Sequence, residues 1–462
     1  MKILYITNGY PPHRWAGTET YTAGIAEGFA KKGHKVQVLC AGTWDHGDSY
    51  WNGVSEDEYN GIPVRRINFN WAKAPDPFHY LYDNPVVADY LTALLNEIEP
   101  DVVHVTSCET LSAGVLRVVK DAGIPLVLSL TDFWFLCPRI DLLHGDGYNC
   151  DGRTSPAVCL DCKMLTGRLY NQTRKVVPEL ILFPMLETIS RYPSITRMRG
   201  FRGLVGDMAG RKSLLKHALT LPDHIVTASN FVREIFLLNG VESEIVVQPY
   251  GHDLSWLESY SGKSHSKVVR FGYVGQIIPS KGVHLLLQAM SFLPRNVLDK
   301  ISLKIYGNLE HTPDYGRQLR GLATQFPNVS FRGTYSHADS AKVFSDIDVL
   351  LVPSLWYDFP LVIYEAFATR TPVIATDLGG MAEAIEHEKN GLLFERGNLD
   401  ALASQISRIV EEPAFLETLH QGISRVKTVH EEVVALLQIY EKLLAFAITG
   451  IGLKMQPDPS IR

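Results

Sequence analysis

The sequence predicts an α/β protein built from two doubly wound, Rossmann-like domains that face each other across a cleft. Three observations carry this expectation. Short apolar runs alternate with amphipathic stretches through most of the chain, the pattern of β–α units and parallel sheets. The 462 residues exceed what one hydrophobic core covers, since single cores stop growing at about 250–300 residues. Near residue 251 the alternation gives way to a Ser- and Gly-rich stretch, 251–267, that reads as a linker, and then resumes.

The first series places strands at 2–7, 35–41, 64–67, 102–105, 125–130 and 224–228. Between the first two, Tyr21, Ile25 and Phe29 recur every fourth residue, which predicts a helix over 18–32 with one buried face. The second series places strands at 270–274, 302–306, 329–331, 349–353 and 372–375. The expected division is an N-terminal, acceptor-side domain over 1–255, a C-terminal, donor-binding domain over 256–440, and a helix or tail over 441–462 placed to pack back on the first domain. Within 1–255 lie a four-cysteine loop, 137–162, and a basic helical insertion, 163–217. In open α/β sheets ligands bind beyond the carboxyl ends of the strands, so the turns that follow strands carry the candidate chemistry.

With 46% hydrophobic and 20% charged residues, the composition is that of a soluble globular protein. A net charge of −6 argues against a general nucleic-acid binder. That charge is unevenly spread, because residues 163–216 hold eleven basic and three acidic side chains, leaving the remainder at −14. No run approaches the roughly 18–20 apolar residues of a spanning helix, and the first apolar run is too short for a signal-peptide core. The expected location is the cytoplasm, or the periphery of the membrane on its inner face.

The strongest local signal runs from Val349 to Ala366. An apolar strand ends at Pro353-Ser354, a loop follows, and Pro360 opens a helix whose first amides, those of Leu361, Val362 and Ile363, are available to an anion. Glu365 lies one to two turns into that helix, where its carboxylate suits ligand hydroxyls. Gly275-Gln276 followed by Ser280-Lys281-Gly282 repeats the strand, loop and helix order with one lysine toward the cleft. Gly17, in Trp15-Ala16-Gly17-Thr18-Glu19, lets backbone approach a phosphate closely. The chain has no Walker loop and no G-x-G-x-x-G, which speaks against nucleotide-sugar epimerases and dehydrogenases. Asp346-Ile347-Asp348 precedes a strand and reads as a turn, not a metal-binding acid pair.

In order and spacing, the Gly17 turn, Gly33-His34-Lys35-Val36, Ser229, Gly275 with Lys281-Gly282, the 353–365 segment, Gly379-Gly380 and Asn390-Gly391-Leu392-Leu393 resemble the family 4 glycosyltransferases. These are retaining enzymes of the GT-B fold, and the resemblance spans nearly the whole chain. It implies a nucleotide diphosphate sugar as donor, a hexose-type sugar transferred to a glycan or lipid-linked glycan, and no catalytic metal. Lys281 would hold the diphosphate with help from the amides of Gly17 and of the helix start at Leu361 and Val362, Gly275 and Gln276 would also border the donor, and Glu365 would bind the ribose. The family places an acid eight positions before that glutamate, where this chain has Tyr357; Asp358 is the nearest acid and would approach the donor sugar. Gln276 stands where relatives often carry arginine. Thr131 stands where they often carry histidine, which leaves Asp132 as the acid nearest the reacting centre, as a polar contact or base toward the acceptor. These departures also motivate the alternative of a catalytically weakened relative that binds nucleotide or glycan.

Cys137, Cys150, Cys159 and Cys162 are spaced C-x12-C-x8-C-x2-C, compatible with a structural four-thiolate zinc site, with an iron–sulfur cluster, or with reduced or bridged thiols. The basic insertion mixes cations with apolar clusters such as 180–183 and 184–186. This is a composition that suits either an anionic membrane surface or an ordinary solvated helical face.

Overall fold

The computed structural model describes residues 1–44, 47–165, 167–192, 207–356 and 360–449. Two sheets organise them. The first holds β1 (Lys2–Thr7), β2 (Lys35–Ala41), β3 (Trp51–Tyr59), β4 (Ile62–Phe69), β5 (Val102–Val105), β6 (Leu126–Leu130), β7 (His224–Thr227) and β8 (Ile245–Val247), in spatial order β3-β4-β2-β1-β5-β6-β7-β8. All neighbours are parallel except the β3–β4 hairpin at the edge. The second sheet is fully parallel: β9 (Val269–Val274), β10 (Ile301–Tyr306), β11 (Val329–Gly333), β12 (Val349–Val352), β13 (Val373–Thr376) and β14 (Gly391–Phe394), in order β11-β10-β9-β12-β13-β14.

The central strands β1, β5, β6, β12 and β13 are buried almost throughout, as expected of parallel strands covered by helices on both faces. Strand order reverses beside β1 in one sheet and beside β9 in the other, which creates a crevice at each switch point.

The chain crosses between the sheets twice, and the crossings are bonded to each other. His252 N donates to Lys427 O at 3.0 Å, and Val429 N donates to His252 O at 2.9 Å. Trp256, just beyond the first crossing, is buried in the second half of the molecule, so the segment read as a linker is partly ordered into that core.

After the second crossing the helix Val429–Thr449 returns to the first sheet and packs on the helix Gly17–Lys31. Val433, Leu436 and Tyr440 join Tyr21, Ile25 and Phe29 in one core with Ile3 and Tyr5 of β1. The contact is close because two small residues face it. A Cβ built on Gly28 would stand 2.5 Å from Val433 Cγ2, and one on Gly24 would stand 3.3 Å from Val429 Cγ2. Glycine costs a helix interior up to about 1 kcal/mol relative to alanine, so its presence here reflects packing, not propensity.

Gly28→Ala should therefore lower stability by about 1–3 kcal/mol despite the better helix former. Thermal unfolding of the variant checks this, and an unchanged or raised midpoint would count against the close helix contact.

Candidate active site

The carboxyl ends of both sheets face one cavity of about 700 Å³. From the first half, the turn after β1 supplies Asn8, Arg14, Trp15 and Gly17, and the turn after β5 supplies Glu109. Thr131 and Asp132 come after β6, and Ser229 after β7. From the second half come Gly275, Gln276 and Lys281 after β9, Ser354 and Trp356 after β12, and Leu361, Val362 and Glu365 from the helix Leu361–Ala368. The structure thus brings together Gly17, Asp132, Gly275, Gln276, Lys281, Leu361, Val362 and Glu365. Asp358 lies outside the described residues.

Backbone packing positions Lys281. It ends the short helical turn Pro279–Lys281, and Gly282 follows at φ 74°, in the left-handed region that favours glycine. A Cβ on Gly282 would stand 2.0 Å from Pro353 O, so only glycine lets this turn lie against the end of β12. Leu355 N donates to Ser280 O at 2.7 Å, joining the lysine turn to the loop that precedes the Leu361 helix. The Lys281 ammonium stands 5.3 Å from the centre of the Trp356 ring, a cation–π contact.

The helix starts one residue later than expected, because Pro360 is its cap and not its first turn. Ile363 N is already used, donating to Pro360 O at 3.1 Å, which leaves Leu361 and Val362 as the cavity-lining positions of the helix start. Burial pushes the Glu365 carboxyl up to about 7, and nearby Asp253 adds to the shift. Tyr335, which also lines the cavity, is packed edge-on against Tyr306 at 5.8 Å.

On the opposite wall Thr18 Oγ1 donates to Thr131 Oγ1, which donates to Thr106 O, each at 2.9 Å. Thr131 therefore ties the Gly17 helix to the ends of β5 and β6. Asp132 Oδ1 accepts from Trp134 N at 2.8 Å. Burial raises its pKa to about 7, opposed by the Trp134 amide and supported by the carboxylates of Glu109 and Glu19. Glu19 is 1% exposed, and burial raises its pKa too. Its nearest cation is Arg14, whose Nε stands 3.2 Å from Oε1 and whose Nη2 stands 3.9 Å from Glu109 Oε2.

Arg14, Asn8 and Glu109 were not legible as site residues. They occupy irregular turns after β1 and β5, and the available signal was only their place beyond a strand end. Asp346 and Asp348 lie away from the cavity lining and pair with Arg270 before β12, as a structural turn.

The four cysteines need a correction. Among the described residues, no group of three or more Cys, His, Asp or Glu side chains comes together to hold a metal, so the four-thiolate zinc site expected from the spacing is not supported. The sulfurs have local hydrogen-bond partners. Cys137, Cys150 and Cys162 accept from the amides of Arg139, Gly152 and Gly145 at 3.4, 3.3 and 3.3 Å, and Cys159 pairs with Thr154 Oγ1 at 3.0 Å.

The basic insertion is likewise less free than its charge suggested. Arg211 is buried and donates to Trp134 O and Cys137 O. Lys163 stands over the Phe78 ring at 4.3 Å, and Arg174 is paired with Asp161 and Asp146. Arg197, Arg199 and Arg202 lie outside the described residues.

Two Rossmann-like sheets with the cavity between their carboxyl edges define the GT-B class of glycosyltransferases. Profile comparison agrees: a family described as glycosyl transferases group 1 matches residues 260–427, and a glycosyl transferase 4-like domain matches residues 16–177. The chain belongs to the group 1, or family 4, glycosyltransferases, and is an enzyme of that kind.

It is 24% identical over 428 residues to an uncharacterized glycosyltransferase of Methanocaldococcus jannaschii, covering 90% of this chain and 91% of that one. It is 27% identical to the capsular polysaccharide biosynthesis glycosyltransferase CapM of Staphylococcus aureus over 208 residues, 44% of this chain and 54% of CapM. In fold it is similar to sucrose-phosphate synthase from Thermosynechococcus elongatus, with a TM-score of 0.63, 18% identity and coverage of 96% and 100% of the two chains. It is also similar to Anabaena HepE in complex with UDP, with a TM-score of 0.61, 17% identity and coverage of 98% and 100%.

The acidity of Asp132 sets a pH dependence. Its carboxyl is neutral below about 7 and becomes an anion above it. If the anion receives the acceptor hydroxyl's proton in a hydrogen bond, transfer should rise as pH increases through about 7. Asp132→Asn should flatten that limb and slow transfer by about 100-fold or more. A limb that persists in the Asn variant would remove Asp132 from this role.

Proposed function

We propose that the protein is a retaining glycosyltransferase that moves a hexose-type sugar from a nucleoside diphosphate sugar to a hydroxyl of a glycan or lipid-linked glycan. The observation that carries this reading is the placement of Lys281, Glu365 and the Leu361 helix start on one wall of a single cavity, with Asp132 on the other. A diphosphate needs positive charge and amide donors, and Lys281 and the amides at Leu361 and Val362 are those groups. Ribose needs an acceptor for its hydroxyls, the role of Glu365. Gly275 and Gln276 border the diphosphate from the β9 side, Gly17 does so from the first half, and Asp358 belongs toward the donor sugar.

In the reaction the acceptor oxygen bonds to the anomeric carbon on the face that the diphosphate leaves. The bond between that carbon and the phosphate oxygen breaks, and the departing phosphate takes the hydroxyl proton. Asp132 holds the acceptor hydroxyl during this step. Lys281 and the helix-start amides stabilise the charge that develops on the leaving group, which is how the chain's own groups would serve without a catalytic metal. Among the described residues of that wall, the acids Glu19, Glu109 and Asp132 against the one cation Arg14 favour an acceptor that presents hydroxyls over one that presents phosphates. That HepE has been seen with UDP and with UDP-glucose, and that CapM belongs to capsular polysaccharide biosynthesis, supports a nucleotide-sugar donor and a polysaccharide product.

The functional division we propose keeps the donor with the second half of the chain, beyond residue 255, and the acceptor with the first. A screen of UDP-, GDP- and ADP-sugars for thermal stabilisation identifies the donor, because a ligand of the folded state stabilises by mass action. With that donor, Glu365→Ala and Lys281→Ala should each lower kcat/KM by about 10- to 100-fold, as loss of a hydrogen bond to a charged group does. EDTA should leave the wild-type rate unchanged. Donor binding without turnover across many acceptors would instead favour a weakened, binding-only relative.

A second reading concerns location, and specific residues favour it. Val176, Leu180, Ile181 and Met185, at the start of the helix Glu179–Arg191 and just before it, are exposed at 81, 90, 55 and 51%. Among the described residues no helix is long and apolar enough to cross a membrane. This strip, in a segment rich in Lys and Arg, suits shallow contact with an anionic bilayer surface. Flotation with phosphatidylglycerol-containing liposomes should recover the protein at low salt and less of it at high salt; absence from the liposome fraction at low salt would remove the reading.

A further inference from the structure

Besides the crossings, the two halves of the chain meet where a side chain of the second half reaches a helix start of the first. The helix Asn230–Leu238 follows β7 in the first half, and its start lines the cavity through Ser229, Phe231 and Val232. Its first amides have no partner within the helix. Ser229 Oγ accepts from Val232 N at 3.2 Å. The next two amides are taken by a carboxylate from the other half of the molecule: Asn230 N donates to Glu383 Oε1 at 2.8 Å, and Phe231 N donates to Glu383 Oε2 at 3.0 Å. Asn230 Nδ2 adds a third bond to Oε1 at 2.9 Å.

Glu383 sits near the end of the short helix Gly379–Ala384, whose Gly380 lines the same cavity on the donor side. One short element therefore borders the donor site at one end and caps an acceptor-side helix at the other. On the same rim Arg396 bridges the halves through main chain. Its Nη2 donates to Gly147 O and its Nε donates to Leu355 O, each at 2.6 Å.

We propose that Glu383 is a positioning residue that holds the cleft closed over the donor by capping the Asn230 helix across the domain gap. This inference rests on the donor site proposed above. A carboxylate on helix-start amides is a favourable charge-assisted contact, and it exists only while the two halves are apposed. Breaking it leaves both halves folded, because Glu383 and Asn230 are exposed and neither belongs to a core. Its loss should appear as a shifted equilibrium between closed and open clefts.

The test compares wild type, Glu383→Ala and Glu383→Gln by donor kinetics, thermal unfolding and small-angle X-ray scattering without ligand. The Ala variant should raise the donor KM by about 3- to 10-fold, in line with the loss of one helix cap. Its kcat should change less and its melting temperature stay near wild type, while its radius of gyration increases. The Gln variant keeps an oxygen for the amides and loses the charge, so it should fall between the two. The wild-type KM should also rise more steeply with ionic strength than that of the Ala variant, because an exposed charge contact is screened. Identical scattering and identical KM for wild type and Ala would overturn the proposal. If wild type turns over no nucleotide sugar, the reading of the donor site fails; the scattering comparison still decides whether Glu383 holds the halves together.

Discussion

The return of the last helix onto the first sheet is the constraint on which the rest of the arrangement depends. A chain that crossed once from one α/β unit to another would leave the two sheets free to turn about a single strand. Here the second crossing is bonded to the first, and the helix that follows is locked into the first core by shape and by buried polar groups. Tyr440 Oη meets Tyr5 Oη at 3.2 Å and His104 Nδ1 at 2.6 Å, and His104 Nε2 reaches Ser129 Oγ at 2.8 Å. Burial lowers the His104 pKa to about 3, so the ring is neutral and serves as a hydrogen-bond bridge. Glu432, on the same helix, accepts from Gln248 Nε2 at 2.9 Å and from Lys427, and so joins both crossings. Ser129 lies three residues before Asp132. Tyr21, on the helix that opens at Gly17, stacks on the cavity-lining Tyr250 at 4.0 Å. The clamp that joins the halves thus also sets the floor of the cleft.

The two walls of the cleft divide the chemistry by charge. The donor wall combines a lysine, a helix start and a carboxyl that burial holds near neutrality. The facing wall, among its described residues, holds three acids and one arginine, and burial raises the Asp132 pKa to about 7 as well. Two carboxyls with pKa values near 7 on opposite walls reflect the same physics, the cost of an anion buried among protein atoms. The first crossing reaches the wall that carries Glu365: His252 stacks on Tyr364 at 4.5 Å, and the Asp253 carboxylate raises the pKa of Glu365. The first crossing thus lies against the same wall of the cavity as Glu365.

Much of the architecture was legible in the sequence, because parallel strands buried on both faces read as short apolar runs. The expected strands at 2–7, 35–41 and 102–105 coincide with β1, β2 and β5. β3 was missed because its second half, Ser55 to Glu58, is polar and exposed at the sheet edge. The turn that joins β3 to β4 did carry a signal: Asn60 and Gly61, at φ 50° and 79°, form the Asn-Gly pair that a tight hairpin prefers. Lys281 and Asp132 were legible as residues that follow strand ends, and Glu365 as a residue of the helix after β12, within a recognisable order of motifs. Their elevated or guarded environments were not, because burial is set by the facing wall. Glu383 and Arg396 could not be read at all, since their partners lie 153 and 249 residues away in sequence. The cysteine spacing left zinc, an iron–sulfur cluster and free thiols open, and among the described residues no group of three or more metal-ligating side chains comes together.

A crystal structure with whichever nucleoside diphosphate binds tests the central claim most directly. The account predicts the diphosphate against Lys281 and the amides at the start of the Leu361 helix, with the ribose hydroxyls on Glu365. A nucleotide seated against Asp132 and Glu109 on the other wall, or elsewhere on the protein, would contradict it.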